Sequence, residues 1–537
     1  MTEVQRRALF TVALLGLAAT CASGQVPAPP FLRGVVQQVP DSATREELER
    51  LYGGWSWRAL WLGPEGPLAR AESLLAWADG AAGDGLDPGR YDASGIRALL
   101  REPGDSARAV ADERLSELFL RLGRDLSAGR VIPGRVDSLW DGHVAPPNVV
   151  AALDEGIRRN DVGSALAGLR PRVSEYGALR LALAHLRSIA AQGGWPSLPV
   201  GPDLAPGDSG PRVAMLRARL AVTEGPVGDA ESTRFDDAMA GAVRRFQRRN
   251  GLPADGVVGP ETRAALDVPV ADRITTLELN LERWRWVPRT LGSRYLLVNI
   301  PAFLLELHDS GRVRMSLRAI VGRKDWPTPI TSAWMDGVTF RPEWNVPTRI
   351  AVQEVLPLER DHPGYLRREG FRVARGDGGG PVDPDSVDWR TVDTAAFPFR
   401  LIQSPGPDNP LGVLRFDVRD PFNVAIHDTP EHALFNDRVR LFSHGCVRVD
   451  GAASLAAQLL PGWSESDVRD AMQGQANRAV GFSRRLRVLL AYETAWVDDD
   501  GAVQFRRDVY GWDDELAAAL AAVQVTTTAA RPGGDGP

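Results

Sequence analysis

The stretch LFSHGCVRVD, residues 441–450, places His444, Cys446 and Arg448 within five positions. A cysteine attacks as the thiolate, and a neighbouring imidazole can take its proton while a cation favours the anion. His444 is two residues from Cys446, on the same side of an extended segment. His427 closes the strand-like run FNVAIH and would meet Cys446 through the fold. Both histidines are therefore candidate bases for a cysteine nucleophile, with Arg448 as the cation.

The chain has two cysteines, and the first lies in what resembles an export signal. In residues 1–24, two arginines precede a short apolar run, and small residues follow up to Gly24. The alternatives are a buried N-terminal helix and a lipoprotein signal with Cys21 as acceptor, although Thr20 disfavours the latter. Export leads to an oxidising compartment, where Cys446 has no partner in the remaining chain. We predict a protein of the periplasm or cell envelope, with lipid anchoring through Cys21 as an alternative.

Two other interpretations of the region around Cys446 compete with catalysis. His427, His432, His444 and Cys446 offer the ligand types of a zinc site, but their spacing matches no standard zinc pattern. The histidines could also form a structural cluster, with Cys446 as a small buried hydrophobe. The residue types favour cysteine catalysis, which requires neither a metal nor an organic cofactor.

The whole chain is long enough for two to four domains, at 537 residues. Its net charge of −6 gives no indication of nucleic-acid binding. No apolar run reaches the roughly 18–20 residues needed to span a bilayer. Residues 25–200 show helical periodicity, for example in 69–80 and 112–129, and contain no catalytic constellation. We predict a helical scaffold domain there.

A Pro/Gly-rich boundary at 193–210 precedes a compact unit, residues 205–270. Its apolar residues form two helical stripes, and Pro260 begins a third short helix with Thr262 and Leu266. The stripes comprise Val213, Leu216 and Leu220 in the first helix, and Phe235, Met239, Val243 and Phe246 in the second. The pattern predicts a three-helix domain.

The period changes from 3.6 to 2 after a helix predicted at 274–288, within a domain predicted at 271–515. The run 294–323 predicts strands with a hairpin turn at 309–311, and Asp450 is a candidate cap for a helix at 451–462. Residues 364–386 are glycine-rich and irregular, and we predict a lid-like insertion over about 346–400. Residues 516–537 are predicted to finish a helix and continue as a disordered tail from 526. The fold class is α+β and multi-domain.

The string Ser443-His444-Gly445-Cys446-Val447-Arg448, after a strand histidine, resembles the S-[HS]-G-C-[VI]-R signature of the bacterial L,D-transpeptidases. VGRKDWPTPI, RPEWNVPTRIA and PGPDNPLG are similar to the large periplasmic branch of that family. AVRRFQRRNGLPADGVVGPETRAAL resembles the three-helix peptidoglycan-binding domain of cell-wall enzymes. The resemblance covers 270–515 strongly, 207–268 well and 40–200 weakly. It implies a mixed β-sandwich-like catalytic domain beside a helical scaffold and a peptidoglycan-binding domain.

The resemblance also implies roles for the residues of the motif. His427 is the base, because the position matching His444 can be serine in the family. The backbone carbonyl of Asp428 accepts the other imidazole N–H, as the carboxylate does in a Ser-His-Asp triad. Backbone N–H groups of Gly445 and Cys446 hold the oxyanion.

The implied reaction is the joining of two peptidoglycan stem peptides. Cys446 displaces terminal D-Ala from a tetrapeptide donor, and a diamino-acid side chain of a second stem attacks the thioester to give a 3→3 crosslink. The expected substrate contacts are Arg448, His444, Ser443, Trp344 and Asn345. Trp344 and Asn345 could instead be core and turn residues, and Arg448 could be a structural salt-bridge partner.

Three alternatives remain at this stage. Water could replace the amine, which would make the protein an L,D-carboxypeptidase or a hydrolase. The acceptor could be the lysine of an outer-membrane lipoprotein. The chain could also be a non-catalytic wall-binding scaffold. Beyond stem peptides, the partners expected are other wall synthases that supply tetrapeptide donors, and no nucleic acid.

Overall fold

The computed structural model describes residues 29–142, 147–376 and 378–529. The predicted export signal with Cys21 lies outside the described residues, as does the end of the predicted tail from residue 530. In the described part of the chain, no helix has the length and apolar character needed to cross a membrane.

The described residues form two compact units. The first contains those up to Gly80 with Tyr91–Gly123 and Asn148–Gly168; the second contains Ala81–Arg90, Arg124–Pro147 and those from Leu169 onward. The predicted scaffold range 25–200 is therefore divided between the units. One reason is that helix Ser174–Ala191 buries Leu179 and Leu183 in the same apolar core as Leu281 of the second unit.

The first unit is helical, as the periodicity predicted. Its helices are Pro29–Gln37, Ser42–Gly54, Ala69–Asp79, Ala93–Leu99, Val149–Arg158, Val162–Ala167 and the part of Asp105–Ala128 that ends at Gly123. Asp112 is fully buried and accepts backbone N–H bonds from Leu60 and Trp61 at 2.9 and 2.8 Å. A buried carboxylate bonded in this way fixes the loop at 60–62 against the helix.

The three-helix domain is present in the second unit, with helices Pro211–Glu224, Asp237–Arg249 and Pro260–Asp267. All the apolar stripe residues are buried. Phe235 lies before its helix and not in it, because Asp236 is the N-cap and accepts the N–H of Met239 at 2.9 Å. Phe235 nevertheless joins the core of the domain.

A nine-stranded sheet forms the centre of the second unit, beside helix Val270–Trp284. In spatial order its strands are Leu441–Ser443, Arg312–Gly322, Val447–Val449, Ile426–His427, Leu414–Arg419, Thr331–Phe340, Arg478–Ala491, Arg294–Asn299 and Leu304–Asp309. The last strand also pairs with Arg312–Gly322, so the ladder closes on itself. This architecture agrees with the predicted α+β, multi-domain fold.

Two flanking helices, Ala452–Leu459 and Glu465–Gln473, cover part of this sheet. The predicted helix cap at Asp450 is wrong, since the N-cap is Gly451, with a φ of 90°. The Asp450 carboxylate instead accepts two bonds from Arg318, at 2.9 and 2.6 Å. A strand pair, Ala495–Val497 and Val503–Phe505, precedes the final helix.

The predicted insertion is a folded body and not an irregular loop. Its four-stranded sheet has the order Trp344–Asn345, Phe399–Gln403, Phe371–Arg375 and Pro381–Val382, and its helices are Thr348–Ile350, the π-helix Ala351–Val355, Leu356–Asp361 and Tyr365–Arg368. A separate apolar core holds it together. Only two alternate positions of FRVAR are buried, Phe371 and Val373, and this short strand signal is hidden among glycines and charges.

The last helix, Trp512–Ala529, is longer than predicted. Residues 526–529 were predicted to be disordered, but they continue this helix. The alanine-rich run that precedes them, residues 517–522, has strong helix propensity. Leu516 and Leu520 of the same helix are buried in the core of the second unit.

Candidate active site

Two neighbouring strands place Cys446 and His427 on one face of the sheet. Strand Ile426–His427 pairs in parallel with Val447–Val449, so that His427 lies opposite Arg448. Side chains two residues apart share a face, which puts Cys446 on the same side as Arg448 and His427. The Ala425 N–H donates to Cys446 Sγ at 3.4 Å. The fold thus brings together the histidine and the cysteine that are 19 positions apart in the sequence.

His427 is 3% exposed, and its Nδ1 lies 2.6 Å from the carbonyl oxygen of Asp428. Because a carbonyl can only accept, Nδ1 carries the proton and Nε2 is left as a base. The pKa of His427 is lowered to about 3, mainly by burial and next by the positive charge of Arg448, with a smaller effect of Arg415. The hydrogen bonds to the backbone of Asp428 and Leu411 act in the opposite direction. The imidazole is therefore neutral at neutral pH. The contact implied by the resemblance is present, while its catalytic role remains a prediction.

The side chain of Asp428 has a structural position. It is 6% exposed, burial raises its pKa, and it accepts the Val413 N–H at 3.2 Å. Gly412 makes this position possible. It has a φ of 63°, and a Cβ there would lie 2.6 Å from Asp428 Oδ2 and 2.7 Å from the Thr429 nitrogen. Only glycine fits such a close approach.

The Cys446 thiol is partly exposed and not preionised. Burial raises the pKa of Cys446, the hydrogen bond from Ala425 lowers it, Asp420 raises it and Arg448 lowers it, and the net direction is upward. With a neutral imidazole beside it, the resting site holds a thiol and an imidazole. An attack by this sulfur would need transfer of the thiol proton to a base in the same step.

Gly445 and Ser443 shape the backbone around the thiol. Gly445 has a φ of 103°, and its N–H donates to Ser443 Oγ at 3.2 Å. Ser443 Oγ in turn donates to the Cys446 carbonyl, and Thr328 Oγ1 donates to the Gly445 carbonyl at 2.9 Å. The Gly445 N–H, which was expected to hold the oxyanion, is therefore already bonded to Ser443 Oγ. The Cys446 N–H has no acceptor among the described residues and remains open.

His444 is held by the insertion through its Nε2. Its Nε2 lies 2.6 Å from Oε1 of Glu354, and its ring contacts the edge of Trp326 at 4.9 Å between centroids. Glu354 belongs to the π-helix of the insertion and also accepts a bond from Arg323 at 3.0 Å. Burial opposes ionisation of Glu354, but the bonds from His444 and Arg323 lower its pKa overall. His444 thus connects the cysteine segment to the insertion.

A cavity of about 490 Å³ opens on the same face of the sheet as the thiol. Arg415 lines it and lies opposite His427 in the register, and Ala425, which bonds the thiol, also lines it. Two paired glycines, Gly337 and Gly481, contribute no side chains to its floor. A Cβ on Gly337 would lie 2.4 Å from the Val480 carbonyl oxygen. Neither Cys446 nor His427 lines this cavity, which adjoins the site through Ala425 and Arg415.

Three families match separate parts of the chain. The family described as "L,D-transpeptidase catalytic domain" matches residues 293–468. Those described as "Putative peptidoglycan binding domain" and "Scaffold domain" match residues 209–266 and 46–183. The chain contains an L,D-transpeptidase catalytic domain. The matched range includes both Cys446 and His427.

Relatives of the L,D-transpeptidase domain were also found among individual proteins. A curated protein of Haemophilus influenzae named "Putative L,D-transpeptidase" is 31% identical over 245 residues, which are 45% of this chain and 49% of that protein. The chain thus spans about half the length of this relative.

The structures found include an L,D-transpeptidase from Xylanimonas cellulosilytica, at 18% identity and a TM-score of 0.18, covering 55% of this chain and 99% of that one. Another is an L,D-transpeptidase from Stackebrandtia nassauensis, at 13% identity and a TM-score of 0.21, covering 55% of this chain and 96% of that one. With TM-scores this low, the two structures support no argument about the fold or function of this chain.

Trp344 and Asn345, two predicted substrate contacts of the L,D-transpeptidase domain, have their contacts within the insertion. Trp344 and Asn345 belong to the insertion's sheet, where Trp344 packs near Phe371 and Asn345 accepts a bond from Arg400 at 3.3 Å. Within the described ranges, neither forms a hydrogen bond with Cys446 or His427. Their part in substrate binding stays a prediction.

Arg448 forms an ion pair with Glu431, and its side chain is 11% exposed. The ion pair agrees with the structural alternative, but Arg448 also faces the site because it lies opposite His427. Across the described residues, no group of three or more His, Cys, Asp and Glu side chains is placed to hold a metal ion.

Sequence reasoning did not find Glu354 and Thr328 in the L,D-transpeptidase domain. Glu354 is 90 positions from His444, and Thr328 is 117 positions from Gly445, so no local pattern connects them. VGRKDWPTPI, which is similar to the family, contains Thr328, but only the fold shows what its hydroxyl contacts.

Proposed function

We propose that this protein is a peptidoglycan L,D-transpeptidase that forms 3→3 crosslinks through a thioester on Cys446 and releases D-Ala. The observation that carries the proposal is the placement of Cys446 and a neutral, buried His427 on one sheet face beside a cavity. The peptidoglycan-binding domain match is consistent with a wall substrate.

The first step is acylation. The Cys446 sulfur attacks the carbonyl of the stem's third residue, while the thiol proton passes to Nε2 of His427. The Cys446 N–H donates to the oxyanion, in a place where a fixed donor is worth more than water. The C–N bond then breaks, the proton moves from His427 to the leaving nitrogen, and D-Ala departs.

The second step is transfer. The side-chain amine of a second stem attacks the thioester and gives a proton to His427. The C–S bond breaks, and the sulfur regains a proton from His427. The cavity walls carry two ion pairs, Arg415 with Asp417 and Arg419 with Asp336. Groups of both signs suit an acceptor with both an amine and carboxylates.

Hydrolysis is the second candidate, because water could attack the same thioester. Transfer requires that water is kept from the sulfur. The contact of the insertion's Glu354 with His444 places a folded body next to the cysteine segment, which favours exclusion of water and therefore transfer. A non-catalytic wall-binding scaffold would not need His427 to be oriented by the Asp428 carbonyl on the same sheet face as Cys446.

The test is incubation of the protein with purified disaccharide-tetrapeptide, followed by mass spectrometry. The matched controls are Cys446→Ala and His427→Ala. The expected product is a dimer that weighs two monomers less one D-Ala, absent with both variants. Monomeric tripeptide alone would establish hydrolysis, and unchanged substrate would favour the scaffold reading.

Export is part of the proposal and rests on the sequence of residues 1–24. Deletion of these residues should retain the protein inside the cell. Cys21→Ser separates cleavage from lipidation, because only a lipid-anchored protein would leave the membrane fraction.

A further inference from the structure

A second cavity, of about 470 Å³, lies between the three-helix domain and the segment that follows strand Val503–Phe505. Three arginines line it, Arg273, Arg506 and Arg507. The rest of its wall is largely apolar, including Leu252, Ala265 and Phe505. The cavity has the size of an ordinary small-ligand site.

The two deeper arginines have only neutral acceptors among the described residues. Arg273 Nη2 donates to Asn250 Oδ1 at 2.7 Å and to the Ala265 carbonyl at 3.3 Å. Arg506 Nη1 donates to the carbonyls of Arg249 and Phe505, at 3.1 and 2.8 Å. Each guanidinium has five N–H donors, so several remain available to a ligand.

Aromatic rings fix the orientation of both guanidinium groups. Arg273 lies 4.2 Å from the ring centroid of Phe505, and Arg506 lies 4.6 Å from that of Trp496. Gly251 adds a close approach. It has a φ of 65°, and a Cβ there would lie 2.8 Å from Cδ of Arg506. The arginines are thus held in place before any ligand arrives.

The carboxylates near the cavity do not neutralise these charges. Glu261 lines the cavity but accepts two bonds from Arg438, at 2.6 and 2.9 Å. Asp272 is Arg273's chain neighbour and exposed, and it acts only through its charge. Burial lowers the pKa of Arg273 and Arg506 to about 10, so both stay charged at neutral pH. Glu261 also acts on Arg507 through its charge. The cavity therefore presents two guanidinium groups, those of Arg273 and Arg506, that no carboxylate among the described residues bonds.

We propose that this cavity binds the free carboxylate of an alanine-ended stem peptide, at a site separate from Cys446. Guanidinium groups bind carboxylates through paired, charge-assisted hydrogen bonds, and the wall at Ala265 and Leu252 suits a methyl group. The inference rests on the proposed function, since it takes a stem peptide as the ligand. The three-helix domain would then hold a second strand while the first reacts.

The test uses the full chain with Cys446→Ala, which stops turnover, titrated by calorimetry with a tetrapeptide that ends in D-Ala. We expect two binding events, and Arg273→Gln with Arg506→Gln should remove one of them or weaken it at least tenfold. Gly251→Ala keeps both charges but displaces Arg506, and should weaken the same event. Arg248→Gln removes a charge from an exposed position of the same domain and should change neither event.

Two further ligands show whether the cavity recognises the peptide carboxylate or any anion. The same tetrapeptide with its terminal carboxylate amidated should lose the arginine-dependent event, and inorganic phosphate should compete only weakly. Unchanged binding in the double variant, equal loss with Arg248→Gln, or phosphate binding as tight as the peptide's would each overturn the assignment. Thermal unfolding of each variant checks that it is folded.

The two proposals can fail separately. Crosslinking is assayed in the parent protein with Cys446 intact, as conversion of soluble monomer to dimer, while binding is measured separately in the Cys446→Ala protein. If crosslinking is absent while arginine-dependent binding persists, the enzymatic proposal fails and the site remains. If crosslinking occurs and binding ignores both arginines, only this site is refuted.

Discussion

We predict that Gly412→Ala slows catalysis, because Gly412 lies close against Asp428, the residue whose carbonyl orients His427. A Cβ there would lie 2.6 Å from Asp428 Oδ2 and 2.7 Å from the Thr429 nitrogen, and a backbone nitrogen cannot swing away. Asp428 must shift, and its carbonyl is the acceptor that orients His427. The base would then lose its alignment with the thiol.

The expected loss of folding stability in Gly412→Ala has two parts, and a control variant can separate them. A residue with a side chain at positive φ costs roughly 1–2 kcal/mol, partly offset by about 0.4–1 kcal/mol from the stiffer unfolded chain. Overpacking against buried atoms adds about 1–3 kcal/mol. Gly462 has a φ of 80° with nothing within 4 Å of its Cβ position, so Gly462→Ala reports the first part alone.

The assays are thermal unfolding and the rate of dimer formation. Gly412→Ala should be less stable than Gly462→Ala by about 1–3 kcal/mol. Its kcat should fall on the order of 100-fold, the usual effect of misplacing a catalytic group by about 1 Å. Gly462→Ala should keep the kcat of the parent protein. Equal stability of the two variants with full activity in Gly412→Ala would refute the link from Gly412 through Asp428 to His427.

Three further predictions concern pH and hydrogen bonding. Because the pKa of His427 is lowered to about 3, the neutral imidazole contributes stability above about pH 6.5 that is lost as pH falls toward 3; denaturant titrations of His427→Gln should lack this dependence. For Glu493 the dependence of stability on pH has the opposite sign, because burial and neighbouring carboxylates raise the pKa of Glu493 well above its usual value. Its contribution is full at low pH and is lost as pH rises, so Glu493→Gln should melt at a higher temperature than the parent at pH 8 and at a similar temperature at pH 4, and equal melting at both would contradict this. Thr328→Val leaves the buried N–H of Gly322 and the carbonyl of Gly445 without their partner and should cost about 2 kcal/mol in chemical unfolding, whereas Thr328→Ser should retain most of the stability.

The sequence predicted that Cys446 works with a histidine because each residue type has a local chemical meaning, and the catalytic roles of both stay a prediction. It left His444 and His427 open as bases, and only the resemblance favoured His427. In the structure, Nε2 of His444 is bonded to Glu354, whereas Nδ1 of His427 donates to the backbone carbonyl of Asp428. Which histidine acts as the base stays a prediction. Glu354 is 90 positions from His444 and has no motif of its own.

The helical elements were predictable for the same reason, because a stripe of apolar residues is a local signal. The insertion was not, since its strands are two to five residues long and glycines surround them. Its core forms by contacts among short elements, so neither periodicity nor composition indicated a fold. A glycine-rich stretch therefore does not imply disorder when short alternating runs such as FRVAR lie within it.

The folded insertion changes what a lid can be in this protein. A flexible loop could close residue by residue, but a body with its own core can move only as a whole. Such a movement carries Glu354 with it, and Glu354 is bonded to both His444 and Arg323. Arg349, from the helical turn just before Glu354, also lies 3.6 Å over the Trp326 ring. Opening must break these contacts or pull the residues next to Cys446 along, so insertion and nucleophile are mechanically coupled.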